Sequence, residues 1–599
     1  MSKNLAFLVG EAGPEPSAFV TEFSRVVSMY KDEIAVAGSD GRMTYKELDA
    51  VSNRIAEKLS QVGALQGQGV GVWLAESCHL VATAVAIFKL QAIYVPLDRS
   101  LPVNRVSEMI IDGGVHIAVT DHETSFGLPC RLVGLRTLLE ANDCATPPHT
   151  VPRSDGSRIC YQTYTSGSSG RPKVIKISED SMMSYIACVR KRYGIKQQSS
   201  IITTASISFD ASVREIFCSL LTGSTLYVPH RGIGFDAATY INLLVENKIS
   251  TILSMTPSIL KVISAAALHG RIPAITNLDL LCVGGEVLDA RTAEAAQRLF
   301  PAALIINHYG PSECTMTSTA WRLPKIDGSL ERLAVGTPNW DTYALIIDEF
   351  SKRICEVGQE GEIWIFGRRV SREYAVPENE LSAVQAENFP DWPGYKTGDL
   401  GFVSSDGELF VVGRLDDQIK LRGIRVDPRD LTERILAIEG IADAVTVSSM
   451  DDKLGYQLHS YVVLSEECCL AGAEIKATLR DHVPSYLVPA TITLLPNLPV
   501  NNHGKLDRKA LPHPVRTTHR SQHSATSLES ELCNTFSEIL GVDEVTPDES
   551  FFDLGGHSLL ATYLVLAVNE AQGSSLPLEE IFSSPTPRLL AKAIKGSPE

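Results

Sequence analysis

Residues 164–173 (YTSGSSGRPK) have the residue types of a phosphate-binding loop. The glycines allow close backbone approach, the hydroxyls and backbone amides can surround phosphate oxygens, and Lys173 supplies a positive charge. The GxxxxGK[ST] spacing of a Walker P-loop is absent, so the segment predicts a phosphate site of another type. A Gly/Ser-rich loop taken alone could equally be a flexible turn.

Residues 553–559 (DLGGHSL) place Ser558 at the start of a helical pattern. A serine at this position can simply cap a helix, or it can carry a covalently attached arm. The residues alone leave both interpretations open.

Alternating helical and strand patterns predict the framework that would position these residues. Between about residues 43 and 311, amphipathic stretches such as 44–59 alternate with short apolar runs such as 70–74, 225–228, 251–253 and 278–283. This alternation is typical of a largely parallel sheet covered by helices. Residues 361–366 and 409–412 then predict strands of a hairpin or barrel, and a new βα pattern begins after residue 413.

The pattern breaks at residues 511–524, which are rich in Pro, His, Arg and Ser and lack periodicity, as expected of a linker. Short helices are predicted beyond it at residues 528–540, 559–568, 578–582 and 589–594. We therefore predict a large α/β domain (1–414), a small, mobile α+β domain (415–514), a linker (515–525) and an all-α four-helix domain (526–599).

Composition and charge narrow the function. The 599 residues are 44% hydrophobic and carry 54 basic against 71 acidic residues, a formal net charge of −17. This acidic excess disfavours nucleic acid or an anionic membrane as the main partner. Apolar runs are too short for a membrane span, no leader pattern is evident and the cysteines lack metal-site spacing, so we expect a cytoplasmic protein.

The phosphate-loop segment resembles that of the adenylate-forming superfamily, which includes acyl-CoA synthetases, luciferases and the adenylation domains of nonribosomal peptide synthetases. Further segments resemble core motifs of those adenylation domains, in the family's order: MTYKEL (43–48), YVPLD (94–98), FDASV (209–213), NHYGPSE (307–313), YKTGDL (395–400), GRLDDQIK (413–420) and GKLDR (504–508). The resemblance covers about residues 20–514 and implies the adenylate-forming enzyme fold, with ATP and Mg²⁺ as ligands.

The resemblance also implies roles for single residues. Tyr309 would stack on adenine, Asn307 would face the adenine edge, and Asp399 would accept hydrogen bonds from the ribose. Arg414 would contact the ribose and phosphate end, and Glu313 would hold Mg²⁺. The implied phosphate-loop residues are Thr165, Ser166, Gly167, Ser168, Ser169, Gly170 and Lys173.

Lys505 is implied as the catalytic lysine, because an amine that reaches the substrate carboxylate and the α-phosphate stabilises the transition state. It lies at the end of the small domain, which would have to close over the large domain for adenylation and then turn away to admit a thiol. The implied hinge is Asp416, with Asp417 as second choice. Residues 420–423 would line the channel of the thiol arm.

The DLGGHSL segment resembles the attachment site of carrier domains and implies that Ser558 bears 4′-phosphopantetheine. Several partners are implied in turn: an amino-acid substrate, a phosphopantetheinyl transferase, a downstream condensation or modifying enzyme acting in trans, and, as an option, a small MbtH-like activating protein.

By position in the family, the substrate pocket would contain Asp210, Ala211, Arg214, Ser254, Cys282, Gly284, His308, Met316 and Thr317, completed by Lys505. Asp210 would pair with the ammonium group of an α-amino acid. A buried arginine without a partner is costly, so Arg214 and His308 favour a second carboxylate on the substrate, as in aspartate- or glutamate-like molecules. Alternatively, Arg214 turns outward or pairs with Glu215 or another acid of the protein.

Two other classes of function compete. An acyl-CoA ligase or luciferase-like oxidase would have no use for a carrier motif. A scaffold or amino-acid sensor that had lost catalysis would not need Lys173, Glu313, Asp399, Lys505 and Ser558. We therefore predict an ATP-dependent, AMP-forming ligase that loads its own carrier domain, while another amino or carboxylic acid as substrate stays open.

Overall fold

The computed structural model describes residues 5–122, 127–140, 156–166, 172–229, 237–269, 272–326, 332–377, 392–421, 423–451, 455–465, 468–499, 506–514, 526–542, 544–552, 554–556, 558–574 and 576–596. Within these ranges, every helix is too short or too polar to cross a membrane. Several predicted features lie outside the described residues: Gly167, Ser168, Ser169, Gly170, Lys505 and the linker 515–525.

The first 414 residues contain most of the strands. They are β1 (Phe7–Val9), β2 (Ile34–Gly38), β3 (Gly41–Thr44), β4 (Gly69–Trp73), β5 (Ile93–Pro96), β6 (Val115–Thr120), β7 (Arg131–Gly134), β8 (Ile159–Ser166), β9 (Pro172–Ser178), β10 (Ser200–Ile202), β11 (Thr225–Val228), β12 (Thr251–Met255), β13 (Leu280–Gly284), β14 (Leu304–Tyr309), β15 (Thr319–Arg322), β16 (Thr337–Pro338), β17 (Thr342–Ile347), β18 (Gly361–Gly367), β19 (Gly394–Val403) and β20 (Leu409–Arg414).

The helices of this region are α1 (Phe19–Tyr30), α2 (Tyr45–Gln61), α3 (Cys78–Lys89), α4 (Val103–Asp112), α5 (Leu135–Leu139), α6 (Glu179–Arg192), α7 (Asp210–Thr222), α8 (Ala237–Glu246), α9 (Pro257–His269) and α10 (Ala290–Leu299), with 3-10 turns at Ser312–Cys314 and Arg372–Tyr374. The end residues explain where helices begin and stop. Thr44 and Glu47 form a capping box at the start of α2, and Gly223 ends α7 with a positive φ.

Three sheets organise the large domain. One has the order β16-β15-β14-β13-β12-β10-β11-β2-β3, the second β7-β6-β4-β5-β8-β9, and the third β1-β17-β18-β19-β20. The strands from β14 to β2 pair in parallel, whereas the third sheet is antiparallel throughout. The predicted α/β class is confirmed, and the strands predicted at residues 361–366 and 409–412 belong to the antiparallel sheet.

The small domain has its own core. Its elements are β21 (Ile419–Leu421), β22 (Ile424–Val426), α11 (Pro428–Leu436), β23 (Ile441–Asp451), β24 (Gly455–Leu464), α12 (Gly472–Arg480) and β25 (Thr491–Leu494), with 3-10 turns at Ser485–Leu487 and Arg508–Ala510. Val426, Leu431, Ile435, Val462 and Ile475 are among its fully buried residues. The antiparallel β21–β22 hairpin faces the large domain.

The C-terminal region forms four helices, α13 (Ser527–Leu540), α14 (Ser558–Gln572), α15 (Glu579–Ser583) and α16 (Pro587–Gly596). Phe536, Leu564 and Ile581 are buried in their common core, as expected for a four-helix domain. This domain rests on α9 of the large domain, where Tyr563 and Leu566 of α14 pack against its apolar core.

Candidate active site

A cavity of about 1350 Å³ opens at the carboxyl edge of the parallel strands β12, β13 and β14. Ligands of open α/β sheets commonly bind at this edge, because loops there converge from neighbouring strands. The first residues of α7, the β21–β22 hairpin and a loop of the C-terminal domain complete the wall. All three domains therefore contribute to one space.

The predicted substrate residues mostly meet at one end of this cavity. Those that line it are Asp210, Ala211, Arg214, Ser254, Gly284, His308, Met316 and Thr317. Cys282 is the exception, because its side chain is completely buried among the core residues between the sheet and the helices. Cys282 does not line the cavity among the described residues, so its assignment to the substrate pocket stays a prediction.

Arg214 lies inside the protein and is only 3% exposed. Its Nη1 donates to the Tyr185 hydroxyl at 3.0 Å, and its Nη2 donates to Ser254 Oγ at 2.8 Å. Glu215 instead accepts from the backbone amides of Thr204 and Ala205. Among the described residues no carboxylate comes within ion-pair distance of Arg214. The alternatives of an outward-facing Arg214 or a pair with Glu215 are therefore excluded here.

His308 belongs to β14 and is buried near Arg214 of α7. Burial, with the Arg214 charge added, holds the pKa of His308 well below its usual range, so the ring is neutral. Its Nδ1 makes no hydrogen bond within the described part of the chain. The ring needs the glycine on the neighbouring strand, because a Cβ at Gly284 would come within 2.2 Å of His308 Cδ2.

Asp210 begins α7 and lies partly exposed in the cavity wall. Its Oδ2 is buried and accepts no hydrogen bond from a described residue, and burial raises the pKa of this carboxyl. An ammonium group placed there would supply the missing donor. The backbone nearby is strained, because Thr315 and Met316 both have positive φ, 60° and 71°.

The predicted nucleotide residues also converge. The Tyr309 hydroxyl donates to Asp399 Oδ2 at 2.6 Å, and Arg414 forms an ion pair with the other Asp399 oxygen. Asn307 donates through Nδ2 to the backbone oxygen of Ala334 at 2.7 Å. These contacts hold an aromatic ring, a carboxylate and a guanidinium together at one side of the cavity.

Glu313 sits in the 3-10 turn after β14 and is 2% exposed. Its Oε1 accepts from the Tyr395 hydroxyl at 2.7 Å and lies 3.8 Å from Lys173 Nζ. Its Oε2 is buried and has no hydrogen-bond partner among the described residues. A buried oxygen of this kind fits Mg²⁺, which proteins usually hold through one or two carboxylates and substrate phosphates.

Strands β8 and β9 carry the two ends of the predicted phosphate loop. Thr165 pairs with Lys173 in their antiparallel register, and Ser166 pairs with Pro172. Lys173 Nζ lies 3.8 Å from the centre of the Tyr374 ring, a cation–π contact. Burial lowers the pKa of Lys173, and Glu313 acts in the opposite direction.

The hinge candidates pair with different arginines. Asp416 binds Arg414 at 2.7 Å, and Asp417 binds Arg508 at 2.5 Å. Residues 506–514, which follow Lys505 directly, lie along the small domain's own sheet, where Tyr461 donates to the Pro512 carbonyl. None of residues 506–514 lines the large cavity. The structure therefore presents the β21–β22 hairpin to the site in place of this segment.

The hairpin approaches the large domain closely. Gly423 has a positive φ of 79°, and a Cβ there would come within 2.7 Å of Thr256 Cγ2, so the turn requires glycine. Lys420 Nζ lies 5.2 Å from the Tyr309 ring centre. On the other side of the same space, Pro577 and Phe582 of the four-helix domain line the cavity.

Sequence reasoning missed three contacts of the site. Tyr185 binds Arg214 from α6, Tyr395 binds Glu313, and Arg425 of β22 lies 3.4 Å from Glu313 through Nη1. Tyr395 stands at the start of the YKTGDL segment, so its position could have suggested a role. Nothing local marks Tyr185 or Arg425, because both reach the site only through tertiary packing.

Family comparisons agree with this geometry. The family model described as AMP-binding enzyme matches residues 23–375, and the model described as phosphopantetheine attachment site matches residues 530–594. Surfactin synthase subunit 2 of Bacillus subtilis (strain 168) is 29% identical, over 97% of this chain and 16% of its own length. Tyrocidine synthase 1 of Brevibacillus parabrevis is 28% identical, over 96% of this chain and 52% of its own.

The chain thus spans about half or less of the length of these curated relatives. Among solved structures, it is similar to holo-PA1221, a nonribosomal peptide synthetase protein containing adenylation and PCP domains bound to a vinylsulfonamide inhibitor. The TM-score is 0.80 at 22% identity, covering 97% of each chain, which shows a common fold. The chain therefore belongs to the AMP-binding enzyme family, with an adenylation domain joined to a phosphopantetheine-type carrier domain as in nonribosomal peptide synthetases.

Proposed function

We propose that the chain activates an amino acid with ATP as an aminoacyl-AMP and then transfers the aminoacyl group to a 4′-phosphopantetheine thiol on its own Ser558. The observation that carries this proposal is the single cavity lined by Tyr309 and Asp399, by Asp210 and by Phe582 of the carrier domain. Nucleotide, amino acid and carrier would meet there without leaving the protein.

The first half-reaction joins the substrate carboxylate to the α-phosphorus and releases pyrophosphate. Tyr309 and Asp399 would orient the nucleoside, with Asn307 at the adenine edge and Arg414 near the ribose. Magnesium, when bound, would neutralise phosphate charge at Glu313. The phosphate loop through Lys173 would hold the leaving group, and Lys505 would stabilise charge at the reacting oxygens.

The second half-reaction needs a different arrangement of the small domain. Asp416 would be the hinge, with Asp417 as the second candidate, so that the Lys505 segment and the β21–β22 hairpin take turns at the site. In this structure the hairpin lines the cavity and the carrier is docked on the large domain. Both features support the assignment of this domain arrangement to thioester formation. Residues 420–423 would then border the path of the thiol arm that Ser558, at the start of α14, carries.

The substrate is an amino acid with an acidic side chain, of the aspartate or glutamate type. Asp210 would bind the ammonium group, whereas Arg214 would bind the second carboxylate. Arg214 supports this proposal because it is buried in the pocket, charged, and bound only to the neutral hydroxyls of Tyr185 and Ser254 among the described residues. Neutral His308 could add one hydrogen bond to the same carboxylate.

The carrier domain calls for a phosphopantetheinyl transferase, which would modify Ser558 before loading. A downstream condensation or modifying enzyme would accept the aminoacyl group in trans, and an MbtH-like protein is a further proposed partner. We place these reactions in the cytoplasm.

Substrate-dependent ATP–pyrophosphate exchange across the proteinogenic amino acids, with aryl and hydroxy acids added, tests the proposal. We expect exchange with aspartate, glutamate or a relative, and thioester on the carrier only after phosphopantetheinylation. Ser558→Ala should abolish loading and leave exchange unchanged, with Ser530→Ala, on the exposed face of α13, as the matched control. Exchange with apolar acids alone would contradict the substrate, and no exchange with any acid, with or without an MbtH-like protein, would contradict the activity.

A further inference from the structure

Arg425 occupies the neighbourhood of the carboxylate that we assign to magnesium. Its Nη1 lies 3.4 Å from Glu313 Oε1 and 3.2 Å from the Tyr395 hydroxyl. Arg425 belongs to β22 of the small domain, whereas Glu313 and Tyr395 belong to the large domain. This contact therefore exists only while the hairpin lies at the site.

Arg425 is also connected to the hinge. Its Nε donates to Gln418 Oε1 at 2.5 Å, and the same oxygen accepts from Arg414 Nη2 at 3.1 Å. Arg414 in turn holds both Asp399 and the hinge candidate Asp416. A rotation about Asp416 would pull on this network and withdraw Arg425 from Glu313.

Glu313 needs a cation in every arrangement, because removing a carboxylate from water without a partner is costly. Lys173 Nζ lies at ion-pair distance from Glu313 Oε1, 3.8 Å, but Arg425 Nη1 lies closer, at 3.4 Å, and is the cation that the small domain supplies. An arginine side chain stays protonated in proteins, so the Arg425 guanidinium carries its charge beside Glu313. A guanidinium and a divalent metal ion at the same carboxylate would repel each other strongly at this depth.

We propose that Arg425 and magnesium alternate as the cation at Glu313, so that loss of the metal with pyrophosphate stabilises the domain arrangement in which the carrier is loaded. This inference rests on the proposed function, since it takes Glu313 as the magnesium residue. Arg425 lines the same cavity, and we assign it a positioning role, in which it acts on where the small domain sits.

Thermodynamic linkage makes the proposal measurable. If the metal and Arg425 compete for Glu313, magnesium must weaken the docking of the β21–β22 hairpin, and docking of the hairpin must weaken magnesium binding by the same factor. A ligand shifts a conformational equilibrium only by its differential affinity for the two states. Without Arg425 the metal should therefore lose most of its influence on the hairpin.

The test is hydrogen–deuterium exchange of peptides covering residues 419–426 in the full chain. MgCl₂ is titrated at a fixed pyrophosphate concentration, and the sample with pyrophosphate but no MgCl₂ is the reference. We expect magnesium to speed exchange of these amides at least about fivefold in the unmodified chain. In Arg425→Gln the amides should already exchange fast, and magnesium should change the rate by less than about twofold.

Arg434→Gln is the matched control. Arg434 on α11 binds Glu108 on α4 at 2.8 Å, so it joins the same two domains away from Glu313. Its loss should loosen the hairpin while preserving the magnesium response. If Arg425→Gln fails to fold, judged by near-ultraviolet circular dichroism, Arg425→Lys keeps the charge and should respond to magnesium at lower metal concentration than the unmodified chain.

The proposal is overturned if Arg425→Gln responds to magnesium as strongly as the unmodified chain, or if the unmodified hairpin ignores magnesium. Neither measurement requires an amino-acid substrate. A chain that shows the magnesium response but no pyrophosphate exchange would therefore contradict the proposed function alone. Active exchange with a hairpin insensitive to magnesium would contradict only the role of Arg425.

Discussion

Asp210 and Arg214 lie one helical turn apart on α7, and both line the same end of the cavity. Residues four positions apart share a helix face and are separated by about 6 Å along the axis. Arg214 donates to Tyr185 and Ser254, and one oxygen of Asp210 has no donor among the described residues. One helix thus presents a carboxyl and a guanidinium group to the same cavity.

Arg214→Met should remove the preference for acidic amino acids. Because hydrogen bonds to a charged group contribute up to about 3 kcal/mol, we expect kcat/KM for the acidic substrate in pyrophosphate exchange to fall about 100-fold. Arg298→Met, on the exposed surface of α10, serves as control and should leave the preference intact. An unchanged ranking of amino acids in the Arg214 variant would refute the acidic pocket.

Lys505→Ala should separate the two half-reactions. Loss of a charge that acts on the transition state typically costs about 100- to 1000-fold, so pyrophosphate exchange should fall by that factor. Loading from chemically synthesised aminoacyl-adenylate should continue, because the hairpin and not this lysine would border the site during transfer. Lys509→Ala, four residues further on, should affect neither step, and equal loss of both steps in the Lys505 variant would argue against alternation.

His308→Gln should make the fold less sensitive to acid. The pKa of buried His308 lies well below that of the unfolded chain, about 6.5, so acid protonates the unfolded chain first. The stability that neutral His308 provides is complete above pH 6.5 and decreases as pH falls towards the folded pKa.

The check is the shift of Tm between pH 7.5 and pH 5.5. We expect a smaller acid-induced decrease in His308→Gln than in the unmodified chain. His116→Gln, at an exposed position of β6, should behave like the unmodified chain. Identical shifts in all three proteins would show that His308 is not held neutral by its surroundings.

Tyr563→Ala should weaken the docking of the carrier. Tyr563 packs on the large domain next to Leu566, and burial raises the pKa of its hydroxyl to about 12. Truncating a central aromatic residue of an interface commonly costs more than about 1 kcal/mol, so we expect loading to slow about tenfold. Stopped-time thioester assays would measure the loading rate, and pyrophosphate exchange should be unchanged. Tyr456→Ala, at an exposed site of the small domain, is the control. Normal loading would mean that α14 docks elsewhere during transfer.

Much of the framework could be predicted from the sequence because it depends on local patterns. The helix predicted at residues 44–59 is α2, and the run at residues 225–228 is β11. The sequence motifs also located part of the cavity wall, since Asp210, Asn307 and Asp399 lie on elements whose ends converge at one sheet edge.

Other features could not be predicted because they depend on packing between distant elements. Cys282 follows the family's spacing but is enclosed by the core, while Arg214 finds Tyr185 on a neighbouring helix. Arg425 meets Glu313 only because the small domain has one of its two proposed orientations. Sequence patterns describe single elements well, but they carry no information on which orientation a hinged domain adopts.

The position of the carrier on α9 has a kinetic consequence. If residues 515–525 form the predicted linker, the carrier would be presented at an effective concentration of about the millimolar level, as with short flexible tethers. A free carrier protein would have to reach that level to compete for the aminoacyl group. The face of α14 that contains Tyr563 and Leu566 is covered while it rests on the large domain. A downstream enzyme that recognised this face would have to wait for undocking, so release from α9 would time the proposed delivery.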